Sequence, residues 1–145
     1  MIVPMGRGDV VYVVPYFPPD LGGMERVAEQ LAQGVAGRRR VTVLTSTSAR
    51  EGGAGRYPAN MTVRHLATMR VAQIPVMPRL PLELLATPRG VLIHVHVAQA
   101  YAPEMVWLVA KLTRRPYVAH FHLDVQPSTW LGPLFRLYKR LVLPR

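Results

Sequence analysis

From Asp9 to Gly37 the chain reads as a strand, a glycine turn and a helix. Val10, Val11, Tyr12, Val13 and Val14 form an unbroken apolar run rich in β-branched residues, the pattern of a strand buried on both faces of a parallel sheet. Pro15, Pro18 and Pro19 end it because proline cannot donate to a strand ladder. Past Gly22 the period changes. Met24, Val27, Ala28, Leu31, Ala32 and Val35 recur at helical spacing, with Glu25, Arg26, Glu29, Gln30 and Gln33 on the other face, and Gly37 supplies a stop. Gly22 and Gly23 therefore stand where a strand hands over to a helix N-terminus, among unpaired N–H groups at the positive end of the dipole. Without a Cβ, such a turn lets an anion approach the backbone closely. The pattern is neither GxGxxG nor a Walker motif, and the same pair also reads as a plain turn.

The rest of the chain repeats the alternation. Val41, Val43 and Leu44 form a second strand running into Thr45 and Ser46, and Met61 to Leu66 a third. Between them, residues 49–60 carry Gly52, Gly53, Gly55 and Pro58 and read as a surface loop. Residues 67–90 are punctuated by Pro75, Pro78, Pro81 and Pro88, with a short helix predicted from Leu80 to Ala86. Val91 to Val97 is a fourth strand and Tyr117 to His122 a fifth. The helix between them, within residues 98–113, has Tyr101, Met105, Leu108, Val109 and Leu112 on one face, and a last helix is predicted from Trp130 to Leu143. Strands alternating with helices imply βαβ units, a parallel sheet and ligands gathered at the carboxyl ends of the strands.

At 145 residues, half of them hydrophobic, the chain is one domain with a real core rather than a disordered one. Its formal charge of +10 would draw anionic lipid, nucleic acid or a phosphorylated substrate. Lys111 and Lys139 are the only lysines, so an arginine-rich genome composition explains the charge equally well. Nucleic acid is not an expected partner, because the basic residues are scattered without an aromatic platform or a known motif. The absence of cysteine removes disulfides, thiol nucleophiles and thiolate metal sites. No basic n-region precedes the first apolar run, so no signal peptide is expected. The location expected is cytoplasmic, peripheral to the inner face of the membrane. The apolar face of the last helix, Trp130, Leu134, Leu137 and Leu141 against Arg136, Lys139 and Arg140, suits an anionic surface, although a domain helix with a solvated basic side has the same pattern.

Two histidine groups carry further chemistry. In a strand, His120, His122 and Asp124 share one side, as do His94 and His96 opposite Val95. A histidine at a strand end can act as a general base or bond a substrate hydroxyl, and a carboxylate beside it can orient the ring. Together the histidines also suggest a zinc or iron cluster. HxHxD resembles the opening of a metallo-hydrolase motif, but Val125 stands where that motif continues with histidine.

Taken in order, PYFPPDLGGMERVAEQLA, VLIHVHV and RPYVAHFHLD are similar to the N-terminal half of GT-B glycosyltransferases of family 4, the retaining, nucleotide-sugar-dependent group. The resemblance covers essentially the whole chain. It implies an α/β, Rossmann-like parallel sheet flanked by helices, one half of a GT-B fold over residues 1–145. This half binds the acceptor and faces a second Rossmann-like domain across a cleft. By position, Gly22 and Gly23 would approach the donor diphosphate and His122 would contact the transferred sugar at the reacting centre. Tyr16, His96 and Asp124 would line the acceptor side. No cofactor and no catalytic metal are implied, the nucleotide-sugar being a co-substrate. Family members continue into a C-terminal nucleotide-binding domain with a paired-glutamate EX7E motif, which these residues lack. The expectation is therefore a fragment, a truncated product or a subunit needing a partner, inactive alone and incomplete at its C-terminal sheet edge. A non-catalytic binding or membrane-surface module and a metal-dependent hydrolase are the alternatives.

Overall fold

The computed structural model describes residues 5–19, 22–47, 56–71, 74–122, 137 and 140. Along the chain, β1 (Val10–Val14) leads to α1 (Gly23–Ala36), β2 (Val41–Ser46) and β3 (Met61–Leu66). A hairpin of β4 (Met69–Val71) and β5 (Ile74–Val76) follows, then α2 (Leu80–Ala86), β6 (Leu92–Val97), α3 (Ala102–Thr113) and β7 (Tyr117–Phe121). The main sheet has the order β3-β2-β1-β6-β7, and every pairing in it is parallel. This is the Rossmann-like arrangement expected from the alternation. The order reverses direction between β1 and β6, which is where ligands settle in open parallel sheets.

Alternate residues of each strand feed two core layers. Val11 and Val13 join Ile93, Val95, Val106 and Val109 on the side of α2 and α3. Val10, Tyr12 and Val14 join Val41, Val43 and the alanines of α1 on the other. β1 is buried on both faces throughout, so its apolar run needs no polar alternation. At its start the Asp9 carboxylate accepts N–H bonds from Gly6 (2.7 Å) and Arg40 (3.1 Å) and pairs with the Arg40 guanidinium at 3.2 Å. Burial pushes the Asp9 pKa upward, but these partners outweigh it and the net shift is down. Arg40 thus ties the α1–β2 turn to the foot of β1. Arg64 and Glu83 join β3 to α2 through two bonds of 2.6 and 2.8 Å.

Three expectations are corrected. α1 seats Ala28, Ala32 and Ala36 on the sheet, while Val27 and Leu31 are more than a third exposed; an alanine stripe lets the helix axis approach the strands closely. α3 likewise buries Ala102, Val106, Val109 and Ala110 and leaves Leu108 and Leu112 outward. It is apolar nearly all round, so spacing could not choose its inner face. The β4–β5 hairpin was not anticipated, since three-residue strands containing Pro75 show no period. Most of the last helix, from Trp130 to Leu143, lies outside the described residues; Leu137 and Arg140 are helical. Among the described residues β7 forms a sheet edge, with Val118 and Phe121 partly exposed, and no helix is long and apolar enough to cross a membrane.

The α1 seating predicts opposite outcomes for neighbouring positions. Ala32→Leu should overpack the helix–sheet contact and destabilise the fold by about 1–3 kcal/mol. Leu31→Ala should cost less than about 1 kcal/mol because its side chain is already partly in water. Urea unfolding midpoints compare the two directly.

Candidate functional site

The carboxyl ends of β1, β6 and β7 bring together the glycine turn and four histidines singled out above. Past Val14 the chain turns through residues 15–19, pinned by Phe17, which is buried in the α1-side core and contacts the Tyr57 ring at 6.0 Å. Gly22 is the N-cap of α1 and Gly23 its first residue. Gly22 has φ −162°, an extended backbone any residue adopts, so conformation does not call for glycine there. The Glu25 carboxylate lies directly over it, where a Cβ would project. Around Gly23 nothing lies within 4 Å of the corresponding position, which leaves the first turn of α1 open to an approaching group.

The parallel register places His94 beside Tyr12, and His96 beside His120. Their side chains all face the α1 side, because β6 and β7 carry them at the same parity as Tyr12. The result is a continuous stack of rings. Tyr12 lies on His94 at 4.7 Å, His94 on His96 at 4.9 Å, His96 on His120 at 5.0 Å and His120 on His122 at 4.6 Å, with interplanar angles of 25° or less. His96 Nδ1 and His122 Nε2 share a hydrogen bond of 2.6 Å. One ring nitrogen from each of His94, His96 and His120 lies within 4.8 Å of the other two. The two histidine groups thus form one array.

A family model of the glycosyl transferase 4-like domain matches residues 22–145. The chain belongs to this family. No curated protein and no solved structure gives a significant match. The parallel five-stranded sheet flanked by helices agrees with an N-terminal GT-B domain of family 4.

Within this glycosyltransferase 4-like domain, the glycine turn and His122 are linked through Glu25. Burial is the strongest influence on His122 and, with His120, lowers its pKa, while the negative charge of Glu25 opposes both. The charge of Glu25, in the first turn of α1, thus bears on His122 past the end of β7. Tyr16 is half-buried in the loop after β1; among the described residues no hydrogen bond or ring contact links it to the histidines. Asp124 lies outside the described residues.

The sequence reading passed over three features of this edge. In the sequence Glu25 is one of five polar residues on the outer face of the first helix. Thr45 and Ser46, at the end of β2, hold buried hydroxyls without a hydrogen-bond partner, and their signal was a hydroxyl run at a strand terminus. Tyr101, opening α3 beyond β6, has φ +89°, a costly value for a residue with a Cβ. Its hydroxyl donates to Met77 O at 2.6 Å, and its N–H donates to Glu104.

Burial is also the main reason that His94 and His96 are hard to protonate, their pKa values falling from 6.5 to about 4 and about 3, with repulsion from neighbouring imidazoles adding to it. The groups facing them are Tyr12, His120, His122 and, beyond these, Glu25. An unfolded chain takes up protons on both residues near pH 6.5, whereas the folded domain resists until much lower pH. The unfolded state then holds more protons, so stability falls as pH drops below about 6.5. The urea midpoint at pH 5 should lie below that at pH 7.5, and the double variant His94→Gln, His96→Gln should show a smaller difference.

Proposed function

We propose that this domain is the acceptor-side half of a retaining glycosyltransferase that moves a sugar from a nucleotide-sugar to an acceptor hydroxyl. The observation that carries the reading is the convergence of a helix N-terminus started by two glycines and a strand-end histidine at one sheet edge, coupled through Glu25. Membership of the glycosyltransferase 4-like family supplies the reaction class.

In this reading the N–H groups of Gly22 and Gly23 lean on the donor diphosphate, with the α1 dipole favouring the charge. Glu25 covers Gly22 and carries like charge, so its carboxylate swings aside as the diphosphate arrives. His122 bonds a hydroxyl of the transferred sugar at the reacting centre. His96 is 0% exposed, and its bond to His122 gives it a positioning role: it holds the ring that touches substrate. Tyr16 and Asp124 serve the acceptor side. The nucleotide pocket belongs in GT-B enzymes to the opposite domain, which residues 1–145 do not include. These residues alone should accordingly bind a diphosphate weakly and turn over no sugar.

Gly23→Ala separates binding from folding. Its new methyl meets open space, and alanine is the better helix former, so thermal stability should be unchanged or higher by up to about 1 kcal/mol. Binding of UDP or GDP, followed by amide shifts at Gly22 and Gly23, should weaken by about 1 kcal/mol, because the methyl stands where the diphosphate approaches and keeps one backbone N–H from its full hydrogen bond. Nucleotide shifts confined to other parts of the sheet, or sugar transfer by the purified chain without a partner, would overturn the assignment.

A further inference from the structure

Four of the five histidines of this chain lie in a single stack on one face of β6 and β7, and the sugar-transfer reading uses only two of them. His94 and His120 have no part in it. Nor does it account for two buried nitrogens, His94 Nε2 and His96 Nε2, which have no hydrogen-bond partner among the described residues. A buried polar atom left unpaired costs free energy, and such an atom in a folded protein calls for a ligand or a water. His96 is wholly buried, and its other nitrogen is committed to His122. When Nδ1 of His96 donates that bond, Nε2 is left with a bare lone pair in the plane of its ring. A metal-binding imidazole has this arrangement, one nitrogen on the ion and the other held by a hydrogen bond that fixes tautomer and ring.

We propose that His94, His96 and His120 form a three-imidazole site for a divalent transition-metal ion, zinc by preference. Alternate positions on one strand and the paired position on its neighbour present three rings from a rigid parallel ladder. Their ring nitrogens lie within 4.8 Å of one another. Zinc–nitrogen bonds of about 2.0–2.1 Å in a tetrahedron require nitrogens roughly 3.4 Å apart, so binding requires the rings to turn out of their near-parallel stack, about their Cα–Cβ and Cβ–Cγ bonds, until their in-plane lone pairs converge. Three neutral nitrogen donors with no carboxylate or thiolate among them suit zinc, copper or nickel and not magnesium or calcium. The fourth position remains for water. The ion is no participant in sugar transfer; it clamps β7, the edge strand among the described residues, to β6, and fixes the His96 ring that orients His122.

The test uses the untagged full chain, stripped with chelator and titrated with Zn²⁺ and with Co²⁺ as a spectroscopic probe. The expected result is one ion per chain, cobalt absorption of tetrahedral intensity, and a melting temperature that rises with the logarithm of free metal concentration. His94→Gln and His120→Gln should each weaken binding at least tenfold, while His65→Gln, on β3 away from the array, leaves it unchanged. X-ray absorption of the zinc-loaded wild-type chain should count three imidazoles, a reading independent of whether the variants fold. Substoichiometric binding, loss on His65→Gln, or fewer than three imidazoles would overturn the site. None of these readouts depends on glycosyl transfer, so the site and the enzymatic reading stand or fall separately.

Discussion

Strand β1 lies between β2 and β6 with both faces buried, and the position of every other part of the site follows from its end. A parallel strand in this place has both edges hydrogen-bonded and both faces covered, so its carboxyl end is a fixed point. From it the chain turns once and enters α1, which lies flat on the sheet through Ala28, Ala32 and Ala36. The close fit delivers the α1 N-terminus to the reversal between β1 and β6. Asp9, bonded to Gly6 and Arg40, secures the other end of the same strand.

The histidine array is the second constraint, and it runs against the ordinary economy of a core. Burying imidazoles in contact removes them from water, and the low protonation of His94 and His96 is the consequence. Kept neutral, each ring retains a lone pair, so the same desolvation that opposes charge preserves the capacity to accept a hydrogen bond or bind a cation. The bond between His96 and His122 extends this from the buried layer to the strand end. A rigid ladder of paired strands holds the rings in fixed order, which loops could not do as well.

Much of the fold was legible because its strands are short, apolar and bounded by proline or glycine. β1, β3 and α2 fall where periodicity and punctuation place them. The errors have physical causes. In α1 and α3 the expected faces held Ala28, Ala32 and Val109, which are buried, but also Val27, Leu31, Leu108 and Leu112, which are not, since a helix packed close on a sheet selects for small residues rather than for hydrophobicity alone. The β4–β5 hairpin is too short to show a period. Of the candidate residues, Gly22, Gly23 and His122 stand at the ends of elements, a placement legible in the sequence. Glu25 could not, because its importance lies in which residue it faces.

The sequence by itself determined the alternation of strands and helices, and hence the parallel sheet, since the period of apolar residues and the position of their interruptions are local properties. It also determined that His94 and His96 share a side, as do His120 and His122, because a strand alternates its side chains. Only the tertiary structure decided that the two pairs are neighbours in register, that His96 bonds His122, and that the charge of Glu25 bears on His122. Strand order and register depend on which distant segments pair, and no local period encodes that choice.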